Sequence, residues 1–195
     1  DFSAFITKVM NSKADGVMIS LWGGNLIDFV RQASDMGFFD GKRDVLMTLG
    51  AATEVLTALK DKMPLGVWVG TRYWFQANDS PVNKAFVDAY KQRFDVFPSY
   101  NAHGAYSAVK AYAAAAKKAD SVDKEKIVNA LEGLSIALPI GPTVIRAEDH
   151  QAISDGTWGQ TAADPGIPIR ILKPMRHFAG KDITPSVEET GCKMK

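Results

Sequence analysis

Over its first 70 residues the sequence alternates helical patterns with short apolar runs, and this alternation constrains the fold more than any other feature. Apolar residues recur at helical spacing in the helical patterns, and each apolar run has the length of a strand buried on both faces. Strict alternation with short links predicts a parallel sheet flanked by helices. The predicted order is helix 3–13, strand 17–21, helix 25–36, strand 45–49, helix 55–60 and strand 66–70, with Ser3, Asn25 and Thr53 as N-caps.

The character of the sequence changes after residue 70, where helical patterns dominate. Ser80-Pro81 opens a helix in the favoured way, because proline suits the first helical position. Residues 81–132 are almost entirely helical in pattern, and their apolar faces need a partner that the strands before residue 71 do not supply. The later predicted elements are helix 101–118, helix 124–131, strand 143–146 and strand 167–172, with the turn-rich link 154–166 between the two strands.

Composition and charge exclude several classes of function. The 195 residues are 46% hydrophobic, enough for one sizeable core or for two lobes. The 23 Lys and Arg nearly balance the 22 Asp and Glu, and no long block of either sign occurs, so the sequence has no electrostatic footprint for nucleic acid or for a membrane surface. The longest apolar stretch, 111–116, is far shorter than the roughly 20 residues of a membrane span.

The two ends of the sequence indicate a mature form or a piece of a longer protein. The first residues lack the basic and apolar regions of a signal peptide, and a helical pattern begins at once, as it does inside a domain. Cys192 is the single cysteine, which excludes an internal disulfide framework. It is therefore either an unpaired thiol or half of a bridge to a partner outside this chain.

The turn Trp22-Gly23-Gly24-Asn25 follows the first predicted strand, where open α/β sheets bind their ligands. It matches neither the dinucleotide pattern G-x-G-x-x-G nor the P-loop. Two interpretations remain: a turn that needs small residues, or a turn that offers backbone N–H groups to an anion such as a carboxylate.

No motif in the sequence indicates catalysis or a metal site. The three histidines, His103, His150 and His177, are scattered, and no H-E-x-x-H motif occurs. There is no G-x-S-x-G elbow, and the lone cysteine lacks the signatures of cysteine hydrolases. We therefore expect no catalytic residue, no metal and no cofactor.

Aromatic residues stand at the ends of several predicted elements. Trp22 follows the first strand, residues 73–75 follow the third, and Phe97 and Tyr100 precede a helix. A single aromatic ring at the end of an element typically fills space in the hydrophobic core. Three groups in such positions favour a ligand cleft lined by rings and a few polar groups.

These segments together resemble a known family. The order "DFSAFITKV", "ADGVMISLWGGNLIDFVRQASDMGF", "GVWVGTRYW", "SPVNKAFVDAYKQRFDVFPSYNAHGAYSAVKAYAAAAKKA", "GPTVIRAEDHQAI" resembles the C-terminal half of a type I periplasmic solute-binding protein of the Leu/Ile/Val-binding, or branched-chain amino-acid-type, family. The likeness covers essentially the whole chain. It rests on many weak signals in the right order, without one diagnostic motif.

The resemblance implies an α/β fold with two lobes joined by crossovers. Residues 1–72 correspond to the C-terminal lobe, 73–80 to a hinge crossover, 81–138 to helices of the N-terminal lobe, and 139–195 to a return to the C-terminal lobe and a tail. The partner of the helices in 81–138 is then the N-terminal half of the same protein, which this chain lacks. We accordingly expect the isolated chain to be unstable, to aggregate or to pair with another chain.

The resemblance also implies a ligand site in a cleft between the lobes. Trp22 and Gly23 match where the family places an aromatic ring and backbone groups against the ligand, while Tyr100 faces the cleft from the other lobe. The predicted ligand-binding residues are Trp22, Gly23, Gly24, Gly50, Tyr73, Trp74, Tyr100 and His103. Amino-acid-binding members carry an acid, which pairs with the ammonium group of the ligand, where this sequence has Gly50. The identity of the ligand therefore stays open. It is either an amino acid or a carboxylic acid, aromatic acid or amide, which needs no such acid.

The function implied is a non-catalytic solute receptor of an ABC importer, which closes on its ligand by hinge bending and delivers it to a membrane permease. Its expected location is the periplasm. In a bacterium without a periplasm, the protein is expected to be anchored at the outer face of the membrane. Two alternatives share the fold: a ligand-sensing domain of a regulator, and a doubly wound α/β enzyme. The enzyme would need titratable groups such as Glu54, Asp79, His103 and His150 to converge. The oligomeric state stays open.

Overall fold

The computed structural model describes residues 1–194. The α-helices are α1 Ser3–Met10, α2 Gly23–Asp35, α3 Thr53–Leu59, α4 Pro81–Phe94, α5 Tyr100–Ala119, α6 Lys124–Leu131, α7 Gly180–Ile183 and α8 Val187–Thr190, and a 3-10 turn, Lys60–Lys62, follows α3. The strands are β1 Gly16–Ile19, β2 Asp44–Met47, β3 Trp68–Thr71, β4 Ser135–Leu138, β5 Gly141–Ile145, β6 Ala152–Ile153, β7 Gly156–Ala162 and β8 Ile171–Phe178.

The chain divides into two compact units. The first unit comprises Asp1–Trp74 and Thr157–Arg176, and the second comprises Phe75–Gly156 and the residues from His177 onward. The lobe and hinge boundaries derived from the resemblance stay predictions. Among residues 1–194, none of the helices combines the length and apolar character that a membrane span requires.

A five-stranded sheet in the order β1-β2-β3-β7-β8 organises the first unit. Strands β1, β2 and β3 are parallel, as predicted, with Val17 opposite Val45 and Leu46 opposite Trp68. Strand β7 is antiparallel to β3, which makes the sheet mixed. The core of this unit is built from apolar side chains of helices α1–α3 and of the sheet, including Ile6, Leu26, Val30, Val45, Met47, Val55, Leu56 and Val69.

Strand β7 lies in the segment 154–166, which the sequence analysis assigned to a turn-rich link, so that assignment is wrong. Thr157, Gly159 and Thr161 alternate with less buried residues, which is the period of a half-buried strand. The buried face holds small residues because the neighbouring strand comes close: a Cβ on Gly159 would lie 2.7 Å from the Cβ of Leu172.

Most of the other predicted elements overlap the observed ones but differ from them at one or both ends. Strand β1 stops at Ile19 rather than at residue 21, and it is covered on one face only, because Met18 is 68% exposed. Strands β5 and β8 replace the predicted strands 143–146 and 167–172. Helix α1 ends at Met10.

Helix starts are correct where a side chain caps the helix. The Ser80 hydroxyl accepts a hydrogen bond from the Asn83 backbone N–H at 3.1 Å, with Pro81 at the first helical position. The predicted caps Ser3, Asn25 and Thr53 are wrong. Helices α1, α2 and α3 begin after Phe2, Trp22 and Ala52, none of which caps with its side chain.

The second unit combines α4, α5 and α6 with a three-stranded antiparallel sheet in the order β4-β5-β6. Ala115 of α5 packs with Ile127 and Ala130 of α6, which begins and ends where the sequence predicts. The buried Asn83 amide donates to the Phe75 carbonyl at 2.9 Å and to the Asn78 carbonyl at 2.8 Å, so the segment before α4 is tied to that helix.

Several large apolar side chains of the second unit remain exposed. They are Phe94, Val96, Val109, Tyr112 and Val122. That the N-terminal half of the protein covers the α4–α5 face stays a prediction. Cys192 is partly exposed, and within residues 1–194 it forms no disulfide.

Candidate functional site

Parallel strands present their carboxyl ends at one edge of a sheet, and in open α/β sheets this edge is where ligands bind. In the first unit, the segments that follow β1, β2 and β3 are residues 20–24, 48–53 and 71–74, counting the last residue of β3. We call these three segments the carboxyl edge. Six of the eight predicted ligand-binding residues lie on it: Trp22, Gly23, Gly24, Gly50, Tyr73 and Trp74.

Trp22 and the two glycines after it form an open surface at the start of α2. The Trp22 side chain is 64% exposed, although the residue stands between a strand and a helix. Gly23 adopts φ +54°, which disfavours any side chain, and a Cβ on Gly24 would meet nothing within 4 Å. The first N–H groups of a helix have no partner inside the helix. The surface therefore offers an aromatic face beside accessible backbone donors.

Gly50 differs from Gly23 and Gly24, because neighbouring residues pack closely around it. A Cβ at this position would lie 2.6 Å from Val69 Cγ1 and 2.8 Å from Met47 Cβ. The backbone around Gly50 is held in the same place, because the Ala51 N–H donates to the Gly70 carbonyl at 3.2 Å. A side chain fits here only if β2 and β3 shift. In this chain the space at residue 50 is too small for the acid that the resemblance places there in amino-acid-binding members.

Tyr73 and Trp74 are interior residues of the first unit, with 1% and 0% of their surface exposed. Burial raises the pKa of the Tyr73 hydroxyl well above its usual value. The Thr71 hydroxyl donates to the Tyr73 carbonyl at 3.0 Å and accepts from the Tyr73 N–H at 3.4 Å. The segment after β3 is therefore tightly held, and contact of these two rings with a ligand stays a prediction.

Tyr100 and His103 lie in the second unit, at the start of α5. Tyr100 is the first helical residue and is half-buried, and the Ser99 hydroxyl caps the helix by accepting from the Ala102 N–H at 3.3 Å. His103 is 8% exposed, and its Nε2 lies 3.2 Å from the Ser107 hydroxyl. Burial lowers the pKa of His103 to about 4, so the ring is neutral at pH 7.

The burial of His103 predicts a loss of stability on acidification. Its pKa of about 4 in the fold lies below the usual 6.5, so the unfolded chain takes up the proton first as the pH falls. The stabilising contribution of the neutral His103 ring is therefore present above about pH 6.5 and is lost as the pH falls. The free energy of unfolding should fall by about 1 kcal/mol between about pH 7.5 and about pH 5.5. Urea unfolding at the two pH values measures this difference.

Two variants of the full-length protein identify the source of that pH dependence. His103→Gln should reduce the loss on acidification, while His177→Gln, at an exposed position, should keep the wild-type loss. An unchanged loss in His103→Gln would contradict the assignment.

Two of the residues considered for an enzyme, Asp79 and His150, lie in separate ion pairs. Asp79 lies 3.5 Å from Lys84 on the surface, and His150 Nε2 lies 3.0 Å from Glu132 Oε1. Glu54 stands in the first turn of α3. No group of three or more His, Cys, Asp or Glu side chains suited to a metal ion occurs in the part of the chain that the structure describes.

Arg72, which directly follows β3, is not among the predicted ligand-binding residues. It is exposed between the buried residues Thr71 and Tyr73. It is also the only residue of the carboxyl edge that is charged at neutral pH. The sequence contained this signal, but it becomes visible only when the three segments are known to share an edge.

Comparisons with known proteins agree with this architecture. The sequence profile of the family described as periplasmic binding protein matches residues 1–164. The Leu/Ile/Val-binding protein homolog 4 of Brucella melitensis is 24% identical over 208 aligned positions, which take in 100% of this chain and 47% of the relative. The chain thus spans about half the length of the curated relatives it matches.

Solved structures show the same fold. An ABC-type branched-chain amino acid transporter protein from Rhodopseudomonas palustris CGA009 is 26% identical, with a TM-score of 0.78 over 96% of this chain and 50% of that one. A solute-binding protein of an ABC transporter from Rhodopseudomonas palustris BisB5, in complex with 3,4-dihydroxybenzoic acid, is 25% identical, with a TM-score of 0.79 over 94% of this chain and 50% of that one.

An amino acid ABC transporter substrate-binding protein from Pseudomonas fluorescens Pf-5 reaches a TM-score of 0.85 at 24% identity, over 100% of this chain and 51% of that one. These neighbours have the type I binding-protein architecture that the sequence predicts. The family profile covers far more than half of the chain. The chain therefore belongs to the periplasmic binding protein family, among relatives of the Leu/Ile/Val-binding type.

Proposed function

We propose that the chain is part of an extracytoplasmic solute receptor of an ABC importer, which binds a small amino acid, carboxylate or aromatic acid. The observation that carries the proposal is the open surface of Trp22, Gly23 and Gly24 at the carboxyl edge. An exposed aromatic ring beside the backbone N–H groups of a helix start is a common wall of small-molecule sites.

The relatives support this choice of ligand class. The BisB5 protein holds an aromatic acid, and the CGA009 protein is described as a branched-chain amino acid transporter protein. Gly50 favours the first kind of ligand for this chain, because no acidic side chain fits there to pair with an ammonium group.

The rest of the proposal concerns the complete receptor. The ligand lies between two lobes, Tyr73, Trp74, Tyr100 and His103 line or support the site, and hinge closure presents the loaded form to a membrane permease. The N-terminal half of the protein supplies the remaining ligand contacts. The receptor works outside the cytoplasm, in the periplasm or anchored at the outer face of the membrane. It uses neither a metal nor a cofactor.

Calorimetric titration of the full-length protein tests this proposal. The panel contains 3,4-dihydroxybenzoate, benzoate, L-leucine, L-phenylalanine and benzamide, and each compound is also incubated with the protein and analysed for conversion. We expect saturable binding of at least one compound with no turnover. If one compound is turned over and no compound shows saturable binding alone, the result would support an enzyme instead.

A sensor domain is separated from a receptor by a second observation. The receptor should pull down, or stimulate ATP hydrolysis by, an ABC importer reconstituted in vesicles when its ligand is present. Binding without any effect on an importer, in a protein whose chain continues into a signalling domain, would favour the sensor.

A further inference from the structure

The parallel strands of the first unit bury one face of their sheet. Successive residues of a strand point to opposite faces, so residues that pair in register lie on the same face. Ile19 pairs with Met47, and Met47 pairs with Val69. All three are buried, so this row marks the packed face of the sheet.

Helices α1, α2 and α3 lie together on that face. Helices α2 and α3 connect neighbouring parallel strands in sequence, and right-handed crossovers place both helices on the same side. Helix α1 packs on α2, because the Phe2 N–H donates to Gln32 Oε1 at 2.7 Å and the ring centroids of Phe2 and Phe29 are 5.7 Å apart. Within residues 1–74 and 157–176, no further α-helix is left for the opposite face.

The opposite face carries an apolar row that these helices do not cover. Met18 pairs with Leu46, and Leu46 pairs with Trp68. We call these three residues the open row. Met18 is 68% exposed, and the other two are half-buried. Parallel strands occur almost only in sheets that are covered on both faces, so an open apolar row on three parallel strands indicates that a further layer belongs there.

The open row is most exposed at its β1 end. At the other end, the Arg176 guanidinium stands 5.6 Å from the centroid of the Trp68 ring. Trp158 of β7 pairs with Gly70 on the same face, where a Cβ on Gly70 would lie 2.7 Å from Trp158 Cε2. Side chains of β7 and β8 therefore cover part of this face near β3, and the further layer belongs over Met18 and its neighbour on β2.

The complete receptor has enough further chain to supply this layer. These 195 residues span 47% of the Brucella melitensis relative and 50% of the CGA009 structure, so about as much chain again lies outside them in the relatives. In α/β proteins the faces of a parallel sheet are covered by helices of the same chain. A helix with an apolar stripe is therefore the segment that suits the open row.

We propose that an amphipathic helix from the remainder of the receptor packs on Met18 and Leu46 and completes the first unit. This inference rests on one part of the proposed function, namely that the chain is part of a longer receptor. It goes beyond that function, because the remainder then supplies one layer of the unit that holds Trp22, in addition to a lobe of its own.

Thiol labelling of the full-length protein tests whether the open row is covered. In a background with the native cysteines replaced by serine, one variant carries Met18→Cys and the matched control carries Ala58→Cys, at an exposed position of α3. N-ethylmaleimide should label Met18→Cys at least about 100-fold more slowly than Ala58→Cys in the folded protein, and at the same rate in urea. Leu46→Cys should be protected in the same way, which provides a second position if one variant folds poorly.

A photochemical cross-link identifies the covering segment. A diazirine analogue of methionine is incorporated into the full-length protein, and the links formed by residue 18 are mapped by mass spectrometry in the band that has the mass of a single chain. The linked peptide should lie outside residues 1–195 and should carry apolar residues at the spacing of one helix face. Met18→Leu should remove this link and leave the links of the other methionines.

The outcomes distinguish this inference from the receptor function. Equal labelling rates of Met18→Cys and Ala58→Cys in the folded protein would overturn the inference. A link from residue 18 to a peptide within residues 1–195, or protection that is lost on dilution to monomers, would overturn it too, because the second unit or another copy would then form the cover. Absence of ligand binding in the calorimetric titration, by a protein that protects residue 18, would overturn the receptor function and leave the inference standing.

Discussion

Replacing Gly50 with glutamate should destabilise the full-length protein by about 4 kcal/mol, because the change both overpacks the sheet and buries a charge. The first atom of any side chain at this position would lie 2.6 Å from Val69 Cγ1, which is closer than carbon atoms pack in proteins. Urea unfolding measures the loss. Gly50→Ala, which adds the Cβ without the charge, should lose about 1–3 kcal/mol.

The same substitution at Gly24 is a matched control. A Cβ on Gly24 meets nothing within 4 Å, and a glutamate in the first turn of α2 is favoured by the helix dipole. Gly24→Glu should therefore change the free energy of unfolding by less than about 0.5 kcal/mol. If Gly50→Glu were as stable as the wild type and gained affinity for L-leucine, the packing account of Gly50 would be wrong.

Replacing Trp22 with alanine should weaken binding of the acid probe by about 30-fold or more, because exposed aromatic anchors dominate the energetics of small-molecule and protein sites. The stability of the fold should change little, since Trp22 is 64% exposed in this chain. Titration with 3,4-dihydroxybenzoate measures the loss of affinity, and thermal unfolding measures the stability.

Two variants bracket the Trp22 result. Trp22→Phe keeps a ring and should retain most of the affinity. Met18→Ala removes a side chain of similar exposure from the adjoining strand β1 and should have no effect on binding. Unchanged affinity in Trp22→Ala would remove the observation on which the proposed function rests. A large loss of stability in that variant would mean that Trp22 is a structural residue.

Local signals in the sequence were enough to place most helices. Helix α6 has a strong apolar period, and Asp123 caps it by accepting from the Glu125 and Lys126 N–H groups, so both of its ends were predicted correctly. The start of α4 was predicted for the same reason, because Ser80 and Pro81 act within one turn of the chain. Helix capping and hydrophobic periodicity depend on residues that are close together in the sequence, so they can be predicted from it.

Strand β7 could not be predicted in this way. Its buried face consists of Thr157, Gly159 and Thr161, which together read as a turn. These residues form a strand because β3 and β8 lie on either side of the segment and leave room for small side chains only. Pairing with β3 joins residues that are about 90 positions apart, as in the pair Gly70 and Trp158, and no local pattern records such a pairing.

For the candidate site, the sequence by itself determined the kind of protein and the position of the turn after β1. The strand-turn-helix pattern around Trp22, the absence of catalytic motifs and the order of weak family signals are all properties of contiguous residues. The tertiary structure decided what each residue does there. It made Gly50 a packing residue through Val69, buried Tyr73 and Trp74, and left Trp22 and Arg72 exposed at one edge. Burial and close approach depend on which distant segments meet, and that is a property of the folded chain alone.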